Sequence, residues 1–307
     1  MTDTKNNAHP VTAAAEIAVD VVGREHEHPA DFGTTLEREA RAFSARAKDG
    51  ETVLPPSRRF VVVDLEFAWD HDRYAGYRIS EGEGAEQNVR WPFHRVAAAC
   101  WMVMRFDPLG DVPEVEELAV ITSAEADEVE IVQKLFSALD RNEDATLLSW
   151  GGEAKDFAVL RLCAAENELV LPVQLRCLSP QAPTRIDLCR AVAVQARPVH
   201  LPEYAAATSI PSKPSPSKSI GALVEAGAWK DVREQVLADV LTTAVIGLRH
   251  LVSHAIVAFN TPRSIAALAE AAVRAMPSSK FLQNSFCPWA RAQLAASRLR
   301  GPVFRAA

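Results

Sequence analysis

The chain has 307 residues, 48% of them hydrophobic and 24% charged, with a formal net charge of −7. That is enough apolar material for a full core, as one large domain with appendages or as two domains. The charge excludes a protein that coats nucleic acid with a uniformly basic surface, and is compatible with a local basic groove around an acidic site. Cysteines at 100, 163, 177, 189 and 287 show neither CxxC pairing nor zinc-ligand spacing, and read as reduced, mostly buried thiols of a cytoplasmic protein. With no basic-then-apolar leader and no continuous apolar run of about 18 residues, neither secretion nor a membrane span is expected.

Residues 1–57 mix Asn, Thr, Asp, His and Pro without sustained apolar pattern. They read as a flexible N-terminal arm with one helix around Thr34 to Lys48, and Arg24-Glu25-His26-Glu27-His28 reads as a solvent-exposed cluster with metal capture as its alternative. After Pro55-Pro56, Phe60 to Val63 is a β-branched and aromatic run of strand length that ends on Asp64 and Glu66. Alternation along a strand points both carboxylates to one side. Two such anions repel and are costly to bury unless a cation sits between them, which makes a divalent metal site the hypothesis against a merely solvated strand end.

Residues 68–93 are polar and contain glycine, which predicts a long loop over the sheet. Arg95 to Phe106 fits a central strand buried on both faces and Val115 to Ile121 a third strand, with the turn at Asp107 to Asp111. Ser123 is the expected N-cap of a helix carrying Ile131, Leu135 and Leu139 and ending near Asn142. Ala145 to Trp150 is a short buried strand running into Gly151-Gly152 and a helix from about Glu153 to Glu168. This order of elements is an α/β pattern with a mixed sheet, in which ligands gather at strand ends.

Residues 171–220 are proline-rich around a second apolar segment, Ile186 to Val194, and end in Pro211-Ser212-Lys213-Pro214-Ser215-Pro216-Ser217-Lys218, a mobile, mildly basic connector. A long helix is expected from Lys230 to about His254, with Val236, Val240, Thr243, Ile246 and Leu251 near one stripe. Segment 261–307 carries Arg263, Arg274, Lys280, Arg291, Arg298, Arg300 and Arg305 against a single acid, Glu270. Ile265 to Met276 and Trp289 to Leu299 read as helices within it. Its charge suits a phosphate-tracking element and, equally, packing against the acidic body.

Two more carboxylates fall where a strand-end metal site recruits them: Asp156, just inside a helix after a strand, and Asp239, inside the long late helix. With Asp64 and Glu66 they form a set of four hard oxygen donors from three segments, suited to two Mg²⁺ or Mn²⁺ ions bridging to phosphate. Two ions so held activate a water and stabilise the leaving oxygen of a phosphodiester. Phe67 and Trp69 are candidates for a wedge or stacking surface against a terminal base. Lys155 either neutralises the acids or meets a phosphate. His250 and His254 form an i, i+4 pair, but His250 lies three helical turns beyond Asp239 and cannot serve it.

Val61-Val62-Val63-Asp64-Leu65-Glu66 resembles the first motif of the DEDD 3′–5′ exonucleases, and Leu148-Ser149-Trp150-Gly151-Gly152-Glu153-Ala154-Lys155-Asp156-Phe157 resembles the second. Asp239-Val240-Leu241-Thr242-Thr243 is similar to the third. The branch most similar is the predicted exonucleases related to the proofreading domain of family B DNA polymerases, in which segments like His94-Arg95-Val96 and Ile186-Asp187-Leu188 recur between the motifs. The resemblance covers roughly residues 58 to 255. It implies an RNase H-like fold, Asp64, Glu66, Asp156 and Asp239 as metal ligands, and Mg²⁺ or Mn²⁺, two ions, as cofactor.

The chain departs from that pattern in two places. Gly151-Gly152 stands where the family has Asn-Gly, so an amide that would touch substrate is missing. Gln235 and Glu234 stand where the family has the Tyr or His that orients the attacking water; Glu234 as a base or Gln235 as a water holder are the replacements available. The expected organisation is therefore a flexible arm (1–57), an RNase H-like exonuclease domain (58–260) and a basic helical C-terminal extension (261–307) that is also a candidate for self-association or a protein partner. The expected activity is 3′–5′ hydrolysis of single-stranded nucleic acid, DNA before RNA. The alternative is a nuclease-fold module that binds nucleic acid or a protein with little catalysis.

Overall fold

The computed structural model describes residues 57–108, 110–216, 219–257 and 260–299. The helix expected near Thr34 and the Arg24 to His28 cluster lie outside the described residues. Five strands, β1 (Arg58–Trp69), β2 (His94–Phe106), β3 (Glu114–Thr122), β4 (Thr146–Ser149) and β5 (Arg185–Asp187), form one sheet in the order β3-β2-β1-β4-β5. β1, β2 and β3 pair antiparallel, whereas β4 joins β1 and β5 joins β4 in parallel. Three strands of meander followed by parallel additions across a helix make the mixed, RNase H-like sheet expected of the sequence.

The helices are α1 (His71–Glu81), α2 (Glu128–Asp140), α3 (Asp156–Glu166), α4 (Val173–Arg176), α5 (Leu188–Ala193), α6 (Leu201–Ala207), α7 (Ile220–Glu225), α8 (Trp229–Ser253), α9 (Thr261–Ala275) and α10 (Cys287–Leu299). They divide between the two sheet faces, as the period-two alternation of β1 requires. Val61, Val63, Leu65 and Phe67 pack with α2 and α3 through Leu135, Leu139, Phe157 and Leu160. Phe60 and Val62 point the other way, onto α8 through Val236, Val240 and Ala244. Asp64 and Glu66 continue that second row and so face α8.

Helix α8 is buried on nearly every side, well beyond the single stripe that its periodicity suggests. It is long and apolar enough to span a membrane by composition, with mean hydropathy 1.5 over its best window, yet 78% of that window is buried within the protein. The sheet covers one side; Leu201, Val224, Leu268, Phe281, Leu282 and Phe286 from the surrounding helices join the same core. Helices α9 and α10, in the basic segment after 260, therefore share the core of the sheet. At their outer end Arg263 pairs with Asp111 at 3.3 Å.

Local differences from the sequence reading have simple causes. The expected loop at 68–93 contains α1, capped by Asp70 accepting from the Arg73 N–H at 3.0 Å; with no buried residue, α1 has no apolar stripe to reveal it. The N-cap of α2 is Asp127, while Ser123 instead holds the Ala97 carbonyl through its backbone N–H at 2.8 Å. The apolar segment 186–194 divides into the end of β5 and α5, with Asp187 as the cap between them. All five cysteines are unpaired thiols.

Glu234, the candidate catalytic base, is engaged away from the other acids. Its buried carboxylate accepts from the Ser279 hydroxyl (2.7 Å) and from the backbone N–H groups of Lys280 (2.9 Å) and Phe281 (3.0 Å). It ties α8 to the connection between α9 and α10 through these three hydrogen bonds. Glu234→Ala, which strands the buried Ser279 hydroxyl and Phe281 N–H, is expected to cost about 3 kcal/mol in urea denaturation while leaving divalent-metal affinity unchanged; an unaltered midpoint contradicts this role.

Candidate active site

In the middle of β1, just beyond Val62, the last residue that pairs with β4, three kinds of element face one cleft of about 240 Å³, lined by Asp64, Glu66, Trp150, Gly151, Lys155, Asp156, His200, Lys213 and Asp239 among others. Asp64 lies opposite Cys100 and Glu66 opposite Ala98 on β2, and the register shifts immediately after Glu66. The residue left out of the pairing is Ala97 of β2, since Glu66 pairs with Ala98 and Phe67 with Val96; such irregularities are common beside functional sites. One oxygen from each of Asp64, Glu66 and Asp239 lies within 4.8 Å of the others. Among the described residues this is the one group of three or more side chains able to share an ion.

Asp156 lines the same cleft but stands outside that group. As the first residue of α3 it sits where the helix dipole favours an anion. Its position depends on the turn before it. Gly151 has φ +75°, a backbone region that L side chains rarely enter, and a Cβ on Gly152 would lie 2.5 Å from Ser149 Oγ and 2.8 Å from Phe157 Cζ. Buried Asp187 locks this turn, accepting from the N–H groups of Gly151 (2.8 Å), Glu153 (3.2 Å) and Cys189 (3.1 Å). Beneath it, Glu153 pairs with the buried Arg185 at 2.5 Å.

A cation that the sequence reading passed over completes the cluster. Lys213 Nζ lies 2.5 Å from Asp239 Oδ2 and 3.9 Å from Glu66 Oε1. Its only sequence signal was one lysine in a Pro/Ser-rich connector, which carries no pattern. That connector is held against α8 by the Thr242 hydroxyl, which donates to the Pro211 carbonyl at 2.8 Å. His200 is also new to the cleft wall.

Other candidates fall elsewhere. Phe67 is 4% exposed, packed edge-on against His94 and covered by the Lys155 ammonium at 4.1 Å from its ring centre, so it has no face free for a base. Trp69 is 47% exposed but lies beyond the cleft beside His71. Gly152 is buried beneath the turn instead of lining the cleft as Gly151 does. Gln235 is buried one helical turn before Asp239 and does not line the cleft. The rings of His250 and His254 stack at 4.0 Å with no third ligand near them among the described residues.

No protein-family model matches the sequence, and no curated protein matches it. Solved structures similar to the chain include a DNA polymerase and an exonuclease. The family B DNA polymerase of the hyperthermophilic archaeon Pyrobaculum calidifontis is 13% identical with a TM-score of 0.43, over 74% of this chain and 30% of the polymerase. Exonuclease I of E. coli in complex with a dT13 oligonucleotide is 16% identical with a TM-score of 0.38, over 64% of this chain and 41% of the exonuclease. The chain thus spans well under half the length of either protein.

The donor set itself fits a hard divalent cation. All the ligating atoms are carboxylate oxygens, and Asp239 Oδ1 is buried with no hydrogen-bond partner among the described residues. Burial, followed by the charges of Asp239, Glu66 and Asp156, raises the Asp64 carboxyl well above the ordinary range. Burial pushes Glu66 up to about 7, against the opposing pull of Lys213, and Asp156 up to about 7, against that of Lys155. Burial also raises Asp239, with Lys213 opposing. The Lys213 ammonium is disfavoured by burial, but Asp239, Glu66 and Asp64 together outweigh that and raise it.

Glu66 and Asp156 hold their protons more tightly folded than unfolded. Their contribution to stability is complete below the ordinary carboxylate range near pH 4 and is lost as pH rises toward about 7. A divalent ion binds the charged form, so it offsets the loss. Thermal melts with EDTA should show Tm falling between pH 5 and pH 8 by more in the native sequence than in a Glu66→Gln, Asp156→Asn variant. Mn²⁺ should raise Tm more at pH 8 than at pH 5. Equal pH dependence in the two proteins contradicts the assignment.

Proposed function

We propose that the chain is a divalent-metal-dependent 3′–5′ exonuclease acting on single-stranded nucleic acid, DNA before RNA. The observation that carries this reading is the meeting of Asp64, Glu66 and Asp239 oxygens within 4.8 Å at an open cleft that Asp156 and Lys155 also line. The motif-bearing segments that resemble the DEDD exonucleases are the ones that supply these acids. Asp64, Glu66 and Asp239, with Asp156 beside them, would hold Mg²⁺ or Mn²⁺. When bound, such an ion supplies Lewis-acid stabilisation of a phosphoryl oxygen and a water of lowered pKa.

The remaining groups act on the substrate. Lys155, held over the Phe67 ring, offers a point charge to a phosphate at the cleft wall. Asp187 acts through the turn, keeping Gly151 against the cleft and Asp156 at the head of α3. A second reading, a nuclease fold that binds without turnover, is favoured by one observation: Glu234 is spent on the 279–281 backbone and Gln235 lies outside the cleft, so neither orients a water there.

A 5′-labelled single-stranded oligonucleotide, as DNA and as RNA, with Mn²⁺ separates the two readings. The exonuclease reading expects a ladder that shortens one nucleotide at a time from the 3′ end. It also expects Asp64→Asn, Glu66→Gln to slow the reaction by more than about 100-fold, beyond what loss of an outer-sphere partner costs. Cleavage unchanged in that variant overturns it. Salt-sensitive binding without products under any divalent ion supports the binding module instead.

A further inference from the structure

We propose that this centre is built for one divalent ion, held by Asp64, Glu66 and Asp239, and that the Lys213 ammonium takes the place of a second. The inference rests on the metal-dependent reading above and departs from the two-ion arrangement that the motif resemblance implies. The two oxygens of Asp239 carry it. Oδ2 is engaged by Lys213 Nζ at 2.5 Å, whereas Oδ1 is buried and has no partner among the described residues. One carboxylate thus presents one oxygen to a tethered cation and keeps the other for an ion.

Lys213 is not a surface lysine that strayed into an acidic hollow. Its side chain is 9% exposed and reaches Glu66 as well as Asp239. The backbone that delivers it is secured at Ile210, which is buried and donates to the Ala205 carbonyl at 2.9 Å, and at Pro211, which accepts from Thr242. Prolines at 211, 214 and 216 restrict the segment further, so little freedom is lost in holding the ammonium inward.

The fourth acid is placed accordingly. Asp156 lies outside the three-carboxylate group and next to Lys155. The four carboxylates are matched by one divalent ion together with the two lysines, whereas a second divalent ion beside Asp239 would crowd the Lys213 ammonium with like charge. A tethered ammonium needs no loading from solution and places a fixed positive charge in the cleft.

Mn²⁺ binding by the full chain, read by calorimetric titration and by electron paramagnetic resonance of the free ion up to about 1 mM, tests this without any turnover. The native sequence should bind one Mn²⁺ per chain. Lys213→Met, which keeps the stem and drops the charge, should bind two, and adding Asp156→Asn to it should return the number to one. Two ions in the native sequence overturn the inference while leaving the nuclease reading intact, and that measurement stands even if Lys213→Met fails to fold. One ion in a folded Lys213→Met also overturns it. No Mn²⁺ bound by the native sequence overturns the inference and the metal-dependent reading together.

Discussion

Four carboxylates gathered beside the middle of one central strand are a concentration of negative charge that a protein interior does not tolerate by itself. Burial raises all four and repulsion adds to it at Asp64, Glu66 and Asp156, with Glu66 and Asp156 brought to about 7. Several nearby features contain that charge, while the buried Asp187 adds its own beside Asp156. Lys213 and Lys155 supply positive charge, α3 presents its N-terminus to Asp156, and Asp187 binds the turn that holds Asp156 there. The price of assembling such a site falls on stability near neutral pH, and a cation held by these acids would offset it.

The same arrangement explains why α8 is so thoroughly buried. It must lie flat on one face of the sheet for Asp239 to meet Asp64 and Glu66, and its other sides then need cover. The surrounding helices supply that cover, and α9 and α10 complete it from beyond residue 260. Glu234 shows the consequence: a carboxylate one turn and a residue before Asp239 becomes the tie that fastens the C-terminal helices to the site helix. Core and site are therefore one mechanical unit, and the basic segment after 260 takes part in it.

Much of this was legible in the chain. A β-branched run ending in Asp-x-Glu declares a buried strand whose acids share a side, because side chains alternate with period two. The mixed order of strands and helices followed from run lengths and turn residues. α1 escaped notice because its residues are all at least partly solvated and leave no apolar period. Residue type alone leaves Phe67 open between a stacking surface and a core aromatic; it points with Val63 and Leu65 into the α2 and α3 side and is core.

What the sequence by itself determined is the inventory: a strand with two acids on one side, a glycine turn feeding an acid at a helix start, and a long apolar helix carrying a third acidic segment. Only the tertiary structure decided how these combine. Three of the acids meet while Asp156 stands beside them, Glu234 and Gln235 leave the cleft, and Lys213 enters it from a proline-rich connector. The reason is physical. Periodicity encodes which side of its own element a residue occupies, whereas the distance between a lysine in an irregular segment and a carboxylate 26 residues away is set by packing that no local pattern records.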